Sequence, residues 1–297
     1  MIKRILGLII LLVLLNSIKI DAQDSVKPIY VPPVESVNYI SNNLVFYQDI
    51  RYGSIPDSIA DAASDRILDL YLPSNISKKK VPVFIFIHGG GFRNGHKGVV
   101  VIQELCQKIA LKGYGVLSIN YRLTLNSKKI NAQGSVGTSK GIPDNGKFSD
   151  VVNIALNNAT EDTQLVLKWI KRNSQKYNFT TRSVAVGGSS AGAMTALNLA
   201  YISKQNIIPV KAVIDMWGGM ANAELIKQNA PPVLIYHGDN DQVVHVDYAY
   251  ALKKQMDKIG NDKSILCILA GQGHAQYDVI INQKINEIIS FLDNNLK

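Results

Sequence analysis

Ser190 lies at the centre of Gly188-Ser189-Ser190-Ala191-Gly192, just after an apolar run and just before a stretch of helical spacing. A serine that is to act as a nucleophile must stand clear of the backbone. The turn that lifts it is so tight that only small residues fit beside it, and Gly188 and Gly192 supply that room. The helix start beneath it favours developing negative charge. Ser189 is a competing hydroxyl, but its position relative to the two glycines is wrong for this turn. His274 closes Gly271-Gln272-Gly273-His274, a bent loop able to present an imidazole as the base. Asp241, within His237-Gly238-Asp239-Asn240-Asp241, can hold that imidazole in one tautomer and stabilise its charged form. Asp239 competes for this role, but it sits in the turn, which its side chain would cap. His96 and His245 are alternative bases, yet neither follows the last strand-like run. His88 and His237 read as structural. The chemistry these types permit is attack of an activated hydroxyl on an acyl carbon.

Such attack creates an oxyanion that needs donors. His88-Gly89-Gly90-Gly91-Phe92 follows the most apolar run of the chain, and its glycines let backbone amides face a ligand. The amides of Gly90, Gly91 and Ala191 are the candidate oxyanion hole. Phe92, Tyr121 and Trp217 fall near the ends of strand-like runs and either line a substrate pocket or pack the core.

These residues need a frame that brings them together. Strand-like runs occur at 44–50, 67–72, 81–88, 115–121, 183–187, 210–216, 233–236 and 264–269. The first two read as a hairpin with a long loop. Helical spacing occupies 99–111, 155–177, 191–203, 248–259 and 279–296. This alternation predicts an α/β fold, a mainly parallel eight-stranded sheet with helices on both faces. Ligands in such sheets bind beyond the carboxyl ends of the strands, where all the residues above fall. Residues 123–151 form a long Gly/Ser/Lys/Asn-rich connection that could cover a site. Only about a dozen residues follow Gly219 before the next strand, which leaves little or no room for a lid domain and predicts an open site.

Composition narrows the field. With 46% hydrophobic and 19% charged residues the chain can bury a core, which excludes disorder for most of it. Two cysteines exclude a disulfide scaffold; Cys106 and Cys267 are expected as buried free thiols. Neither a metal nor a cofactor is called for by any Cys/His spacing. The net charge of +9 is scattered, with Lys78-Lys79-Lys80 the longest basic run, so a solvated basic surface is expected rather than a nucleic-acid partner. Lys3 and Arg4 precede an apolar stretch at 5–15, and Asp21-Ala22-Gln23 offers a cleavage position. That stretch is shorter than the roughly 20 residues a membrane-spanning helix needs. The expected organisation is a signal peptide at 1–23, an N-terminal arm at 24–43 and a catalytic domain at 44–297. The protein would then be secreted or periplasmic, with no stable membrane insertion after cleavage.

Taken together, the chain resembles the α/β-hydrolase superfamily, in the carboxylesterase/lipase group with HGGGF and GxSAG motifs. The order Ser190, Asp241, His274 is the chain order of that fold and not that of the chymotrypsin or subtilisin folds. Leu68-Asp69-Leu70-Tyr71-Leu72-Pro73, Asn120-Tyr121-Arg122-Leu123 and the pair Asp162 and Trp169 are further echoes, so the resemblance covers roughly 44–295. It implies hydrolysis of carboxylic esters through an acyl-enzyme, without metal or organic cofactor. Small secreted members of similar layout act on acetyl or feruloyl groups of polysaccharides, so a small ester or an esterified polysaccharide is the expected substrate. The rival readings are a serine peptidase or aminoacyl hydrolase on the same fold, and a catalytically inactive hydrolase-fold binding module.

Overall fold

The computed structural model describes residues 36–41, 43–56, 62–74, 80–126 and 137–297. The expected signal peptide, most of the expected arm and residues 127–136 of the long connection lie outside them. The described residues all fall within the compact unit Pro32–Lys297.

The centre of the molecule is β4 (Val81–Ile87), whose sequence VPVFIFI has six of seven residues buried. A strand covered on both faces needs apolar side chains at successive positions, not at alternate ones. Its residues divide between two cores. Val83, Ile85 and Ile87 pack on one face with helices α2 (Asp150–Asn173), α3 (Ala191–Tyr201) and α4 (Asp247–Lys258). Phe84 and Phe86 pack on the other with α1 (Val100–Ala110) and α6 (Ile285–Leu296).

Around β4 the sheet runs in the order β1-β2-β3-β5-β4-β6-β7-β8-β9. An antiparallel edge is made by β1 (Ser36–Ser41), β2 (Leu44–Arg51) and β3 (Ile67–Pro73), which joins β5 (Gly115–Ile119). From β5 onward, through β6 (Phe179–Ser189), β7 (Val210–Met216), β8 (Val233–Gly238) and β9 (Ile265–Leu269), neighbouring strands are parallel. Among the described residues the sheet has nine strands, the eight expected and one more at its edge. Part of the segment read as an arm, Ser36–Ser41, pairs antiparallel with β2. Its Val-Asn-Tyr alternation is a strand signal that the neighbouring Pro32-Pro33 pair obscures.

Two further boundaries differ from expectation. Helix α2 begins at Asp150, inside the stretch read as loop, with Val152, Ala155, Leu156 and Ala159 buried at helical spacing. Near the C-terminus the expected single helix is a turn α5 (Tyr277–Val279), a π-helical turn (Ile280–Lys284) and then α6. Buried charges tie the elements together. Asp162 of α2 accepts from Arg66 Nε at 2.8 Å, and from the amide and Nε of Arg122 at 2.8 and 3.0 Å. Lys97 is buried between Asp69 at 2.5 Å and Asp49 at 2.7 Å. Both Cys106 and Cys267 are free thiols; Cys106 is buried and Cys267, on the edge strand β9, is partly exposed. Among the described residues no helix is long and apolar enough to cross a membrane.

Candidate active site

Strand β6 runs straight into α3, and Ser190 is the residue between them. Its backbone has φ +52°, a left-handed conformation that costs energy in a non-glycine residue and turns the side chain out of the strand. Two bonds fix the turn: the Ser190 amide donates to the Met216 carbonyl and the Ser190 carbonyl accepts from the Met194 amide, both at 2.9 Å. The flanking glycines are there because β4 passes too close for a side chain. A Cβ on Gly192 would lie 2.0 Å from the Ile87 carbonyl oxygen, and one on Gly188 would lie 2.4 Å from the same atom. That oxygen belongs to a central strand and cannot yield. Gly192→Ala is expected to lower stability by roughly 3 kcal/mol or more, because the overlap falls on backbone. Thermal unfolding of the purified variant measures it, and an unchanged Tm would contradict the packing described.

His274 and Asp241 reach Ser190 from the ends of β9 and β8. The imidazole Nε2 stands 3.0 Å from Ser190 Oγ, and its Nδ1 stands 2.7 Å from Asp241 Oδ2. A carboxylate only accepts, so Nδ1 carries the proton and Nε2 is left to accept from the serine hydroxyl. The two loops are laced to each other. Asn240 donates its amide to the Gln272 carbonyl at 2.9 Å, and Asp239 Oδ1 accepts from the Gly271 amide at 2.7 Å. Asp239 thus caps a turn, as expected, though the turn belongs to the neighbouring loop. Asp241 Oδ1 accepts from the amides of Val243 and Val244 at 2.8 and 3.0 Å. Burial alone would raise its carboxyl. Hydrogen bonds from His237, His274 and the Val244 and Val243 amides outweigh that and hold it well below the usual carboxylate range.

A cavity of about 680 Å³ opens over these groups, lined in part by Gly90, Gly91, Phe92, Ser190, Ala191 and Trp217. Ala191 opens α3, so its amide has no partner within the helix ladder. Gly91 has φ +61°, and a Cβ there would meet nothing within 4 Å. At Gly90 the turn closes, its carbonyl accepting from the amides of Arg93 and Asn94 at 3.0 and 3.1 Å. Apolar walls come from Leu125, Val152, Met194 and Val244. The cavity also reaches the long connection. Thr138 lines it, donating Oγ1 to the Val243 carbonyl at 2.7 Å, and the connection is held again by Tyr248, whose hydroxyl donates to the Gly141 carbonyl at 2.9 Å.

Tyr121 is the one expected pocket residue that the structure keeps away from the cavity wall. Fully buried, it donates its hydroxyl to the His88 carbonyl at 2.9 Å and stacks on the His88 ring at 4.6 Å. An aromatic at a strand end can face either the cavity or the underside of a loop, and here it supports the glycine loop from below. Burial pushes His88 down to about 4, so it is neutral near pH 7 and serves that loop structurally. Tyr277 was not singled out by sequence. Its hydroxyl is 2.5 Å from Ser189 Oγ and its ring lies edge-on to Trp217 at 5.2 Å, which ties the segment after His274 to the serine turn. No motif marks it; only its place three residues past the histidine does.

Asp215, at the end of β7, was also passed over. Burial pushes its carboxyl up to about 6, against the pull of His237 and the Gly218 amide. Raised in the fold, this group contributes stability that is present below the ordinary carboxylate range and lost as pH rises through about 6. Asp215→Asn keeps the acceptor for the Gly218 amide, so its Tm relative to wild type is expected to move in the variant's favour between pH 4 and pH 8. Differential scanning calorimetry at the two pH values tests this, and a difference independent of pH contradicts it.

A family model described as phospholipase/carboxylesterase matches residues 143–296, more than half of the chain. The chain belongs to that family, within the α/β-hydrolases. A second model, BD-FAE, matches residues 68–133, so between them the two cover the glycine loop and Ser190, Asp241 and His274 of this phospholipase/carboxylesterase family member. Juvenile hormone esterase of Heliothis virescens is 32% identical over 125 residues, which are 41% of this chain and 18% of that one. The chain spans less than two thirds of the length of the curated relatives it matches. Among solved structures, a truncated carbohydrate esterase from gut microbiota superposes with a TM-score of 0.61 at 18% identity, over 87% of this chain and 99% of that one. Thermogutta terrifontis esterase 2 phosphorylated by paraoxon gives 0.62 at 15% identity, over 89% and 95%. These likenesses establish the fold.

Proposed function

We propose that the protein is a serine carboxylic-ester hydrolase acting on short-chain acyl or aryl esters, including acetyl or feruloyl groups on polysaccharide. The observation that carries this reading is the hydrogen-bonded series from Ser190 Oγ through His274 to Asp241 at the floor of an open cavity. In this mechanism His274 Nε2 takes the serine proton as Oγ attacks the ester carbonyl. Asp241 stabilises the imidazolium that results. The amides of Gly90, Gly91 and Ala191 receive the oxyanion, each donor worth about 3 kcal/mol in the transition state. The imidazolium then protonates the leaving alcohol, and water, deprotonated by the same nitrogen, releases the acid from Ser190.

Two findings support an acyl group carried on carbohydrate: the match to the BD-FAE family and the likeness to the carbohydrate esterase from gut microbiota. A cavity of about 680 Å³ is ample for an aryl acyl group, and its apolar walls suit one. Secretion, or export to a periplasm, is part of this proposal and rests on residues 1–23.

The test is a panel of acetylated xylan, methyl ferulate, p-nitrophenyl esters of rising chain length and matching amides, run beside covalent labelling with a fluorophosphonate. Faster cleavage of esters than amides, with the label on Ser190, is the expected outcome. Preference for amides would favour the peptidase reading, and a protein that takes no label would favour an inactive binding module.

A further inference from the structure

Beneath Asp241 lies a second imidazole that the mechanism above does not use. His237, on β8, is fully buried. Its Nε2 is 2.8 Å from the Val244 carbonyl oxygen and 3.3 Å from Asp241 Oδ2. Both neighbours are acceptors only, so Nε2 carries a proton in the neutral and the charged ring alike. That proton is shared between the carbonyl and the same carboxylate oxygen that receives His274 Nδ1–H.

The far side of the ring is equally constrained. Asp215 of β7 stands opposite Ile235 of β8 in the parallel register, and side chains two apart on a strand share a face. Asp215 and His237 therefore project from the same face of neighbouring strands, one step apart. Each has one buried side-chain atom without a hydrogen-bond partner, Oδ2 of Asp215 and Nδ1 of His237. Unpaired buried polar atoms are uncommon and call for an explanation. A ring that needs Nε2–H for Asp241 has only Nδ1 left to carry a second proton, and the Asp215 carboxylate is the charge that would favour it.

We propose that His237 is a positioning residue of the reaction: it clamps Asp241 Oδ2 and the Val244 carbonyl with one N–H, and so fixes the carboxylate that orients His274. This rests on the ester-hydrolase reading, and it assigns to the buried histidine a task in turnover beyond packing. Asp241 hangs from a loop, with Oδ1 held by two amides of its own turn. Those two bonds are internal to the turn and do not by themselves fix the carboxylate against the sheet. His237 is the donor that ties both ends of that turn, Asp241 and Val244, to the rigid strand beneath. Without it, Val244 O and one lone pair of Asp241 are left unpaired in a dry interior, and the turn relaxes toward other donors.

The test compares His237→Gln, whose amide N–H reaches the position of Nε2, with His237→Met, which fills similar volume and donates nothing. Competent sites are titrated with an organophosphate, and kcat is expressed per titrated site, so loss of folded protein does not enter. The Met variant is expected to lose at least about tenfold in kcat with KM little changed, whereas Gln loses less than about threefold. A titrated Met variant within twofold of wild type, or a Gln variant as damaged as Met, overturns the proposal. Should Met not fold, Gln is compared with His237→Asn, whose shorter amide misses the Nε2 position; equal kcat for those two also overturns it. A wild-type protein that the organophosphate does not label overturns the hydrolase reading itself, and this proposal with it.

Discussion

Ser190→Ala is expected to reduce ester turnover by about 10⁴-fold or more, with stability within about 1 kcal/mol of wild type. The substitution removes one oxygen atom from the cavity floor. The bonds that hold the turn are made by the backbone of residue 190, to Met216 and Met194, and they remain. What disappears is the only hydroxyl within hydrogen-bond reach of His274 Nε2 among the bonds described. Ser189 is not a substitute, because its Oγ is engaged by the Tyr277 hydroxyl. Hydrolysis of p-nitrophenyl acetate by the purified variant, with thermal unfolding alongside, measures both quantities. Retention of most of the activity would falsify the assignment of the nucleophile.

Asp241→Asn is expected to lower kcat by about 10⁴-fold near pH 7, the scale seen when a carboxylate that orients a catalytic imidazole is made an amide. Four N–H groups converge on the two Asp241 oxygens: the Val243 and Val244 amides on Oδ1, His237 and His274 on Oδ2. An amide can accept on one side only. If its oxygen keeps the two backbone donors, its NH₂ faces His274 and favours the tautomer with the proton on Nε2, which cannot take one from serine. The same substitution carries a stability signature. Because the Asp241 carboxyl is held below its ordinary range, its contribution is present above that range and lost as pH falls through the lowered value. The Asn variant should therefore be less stable than wild type at pH 7, and the gap should close below about pH 4. Denaturant titrations at the two pH values check this, and a gap that widens in acid contradicts it.

The candidate site residues Ser190, Asp241 and His274 were legible because each sits in a local motif with a mechanical reason. Gly188 and Gly192 flank Ser190 since β4 leaves no space for a Cβ, and that is visible as two glycines at fixed offsets. The unbroken apolar run of β4 marked the centre of the sheet for a similar reason, burial on both faces. Residues whose roles depend on distant partners left no such trace. Tyr277 meets Ser189 across 88 positions, and Asp215 matters because β7 and β8 are neighbours in one register. Tyr121 had the right position for a pocket residue and the wrong orientation, since the side on which a strand-end aromatic falls is decided by the loop it supports. The edge strand β1 was hidden by prolines just before it, and the start of α2 by a run of asparagine and β-branched residues of low helix propensity.

The lacing between the loops after β8 and β9 also sets a timetable. A ribosome delivers Ser190 well before it delivers His274, and the strand that carries the base toward its partners, β9, is the last of the sheet to emerge. Until Ile265–Leu269 docks beside β8, the Asp239 and Asn240 contacts to Gly271 and Gln272 do not exist, and the serine hydroxyl has no base beside it. A chain that stops short of His274 therefore carries the serine turn without a base beside it, and its hydroxyl is no better a nucleophile than that of any other serine.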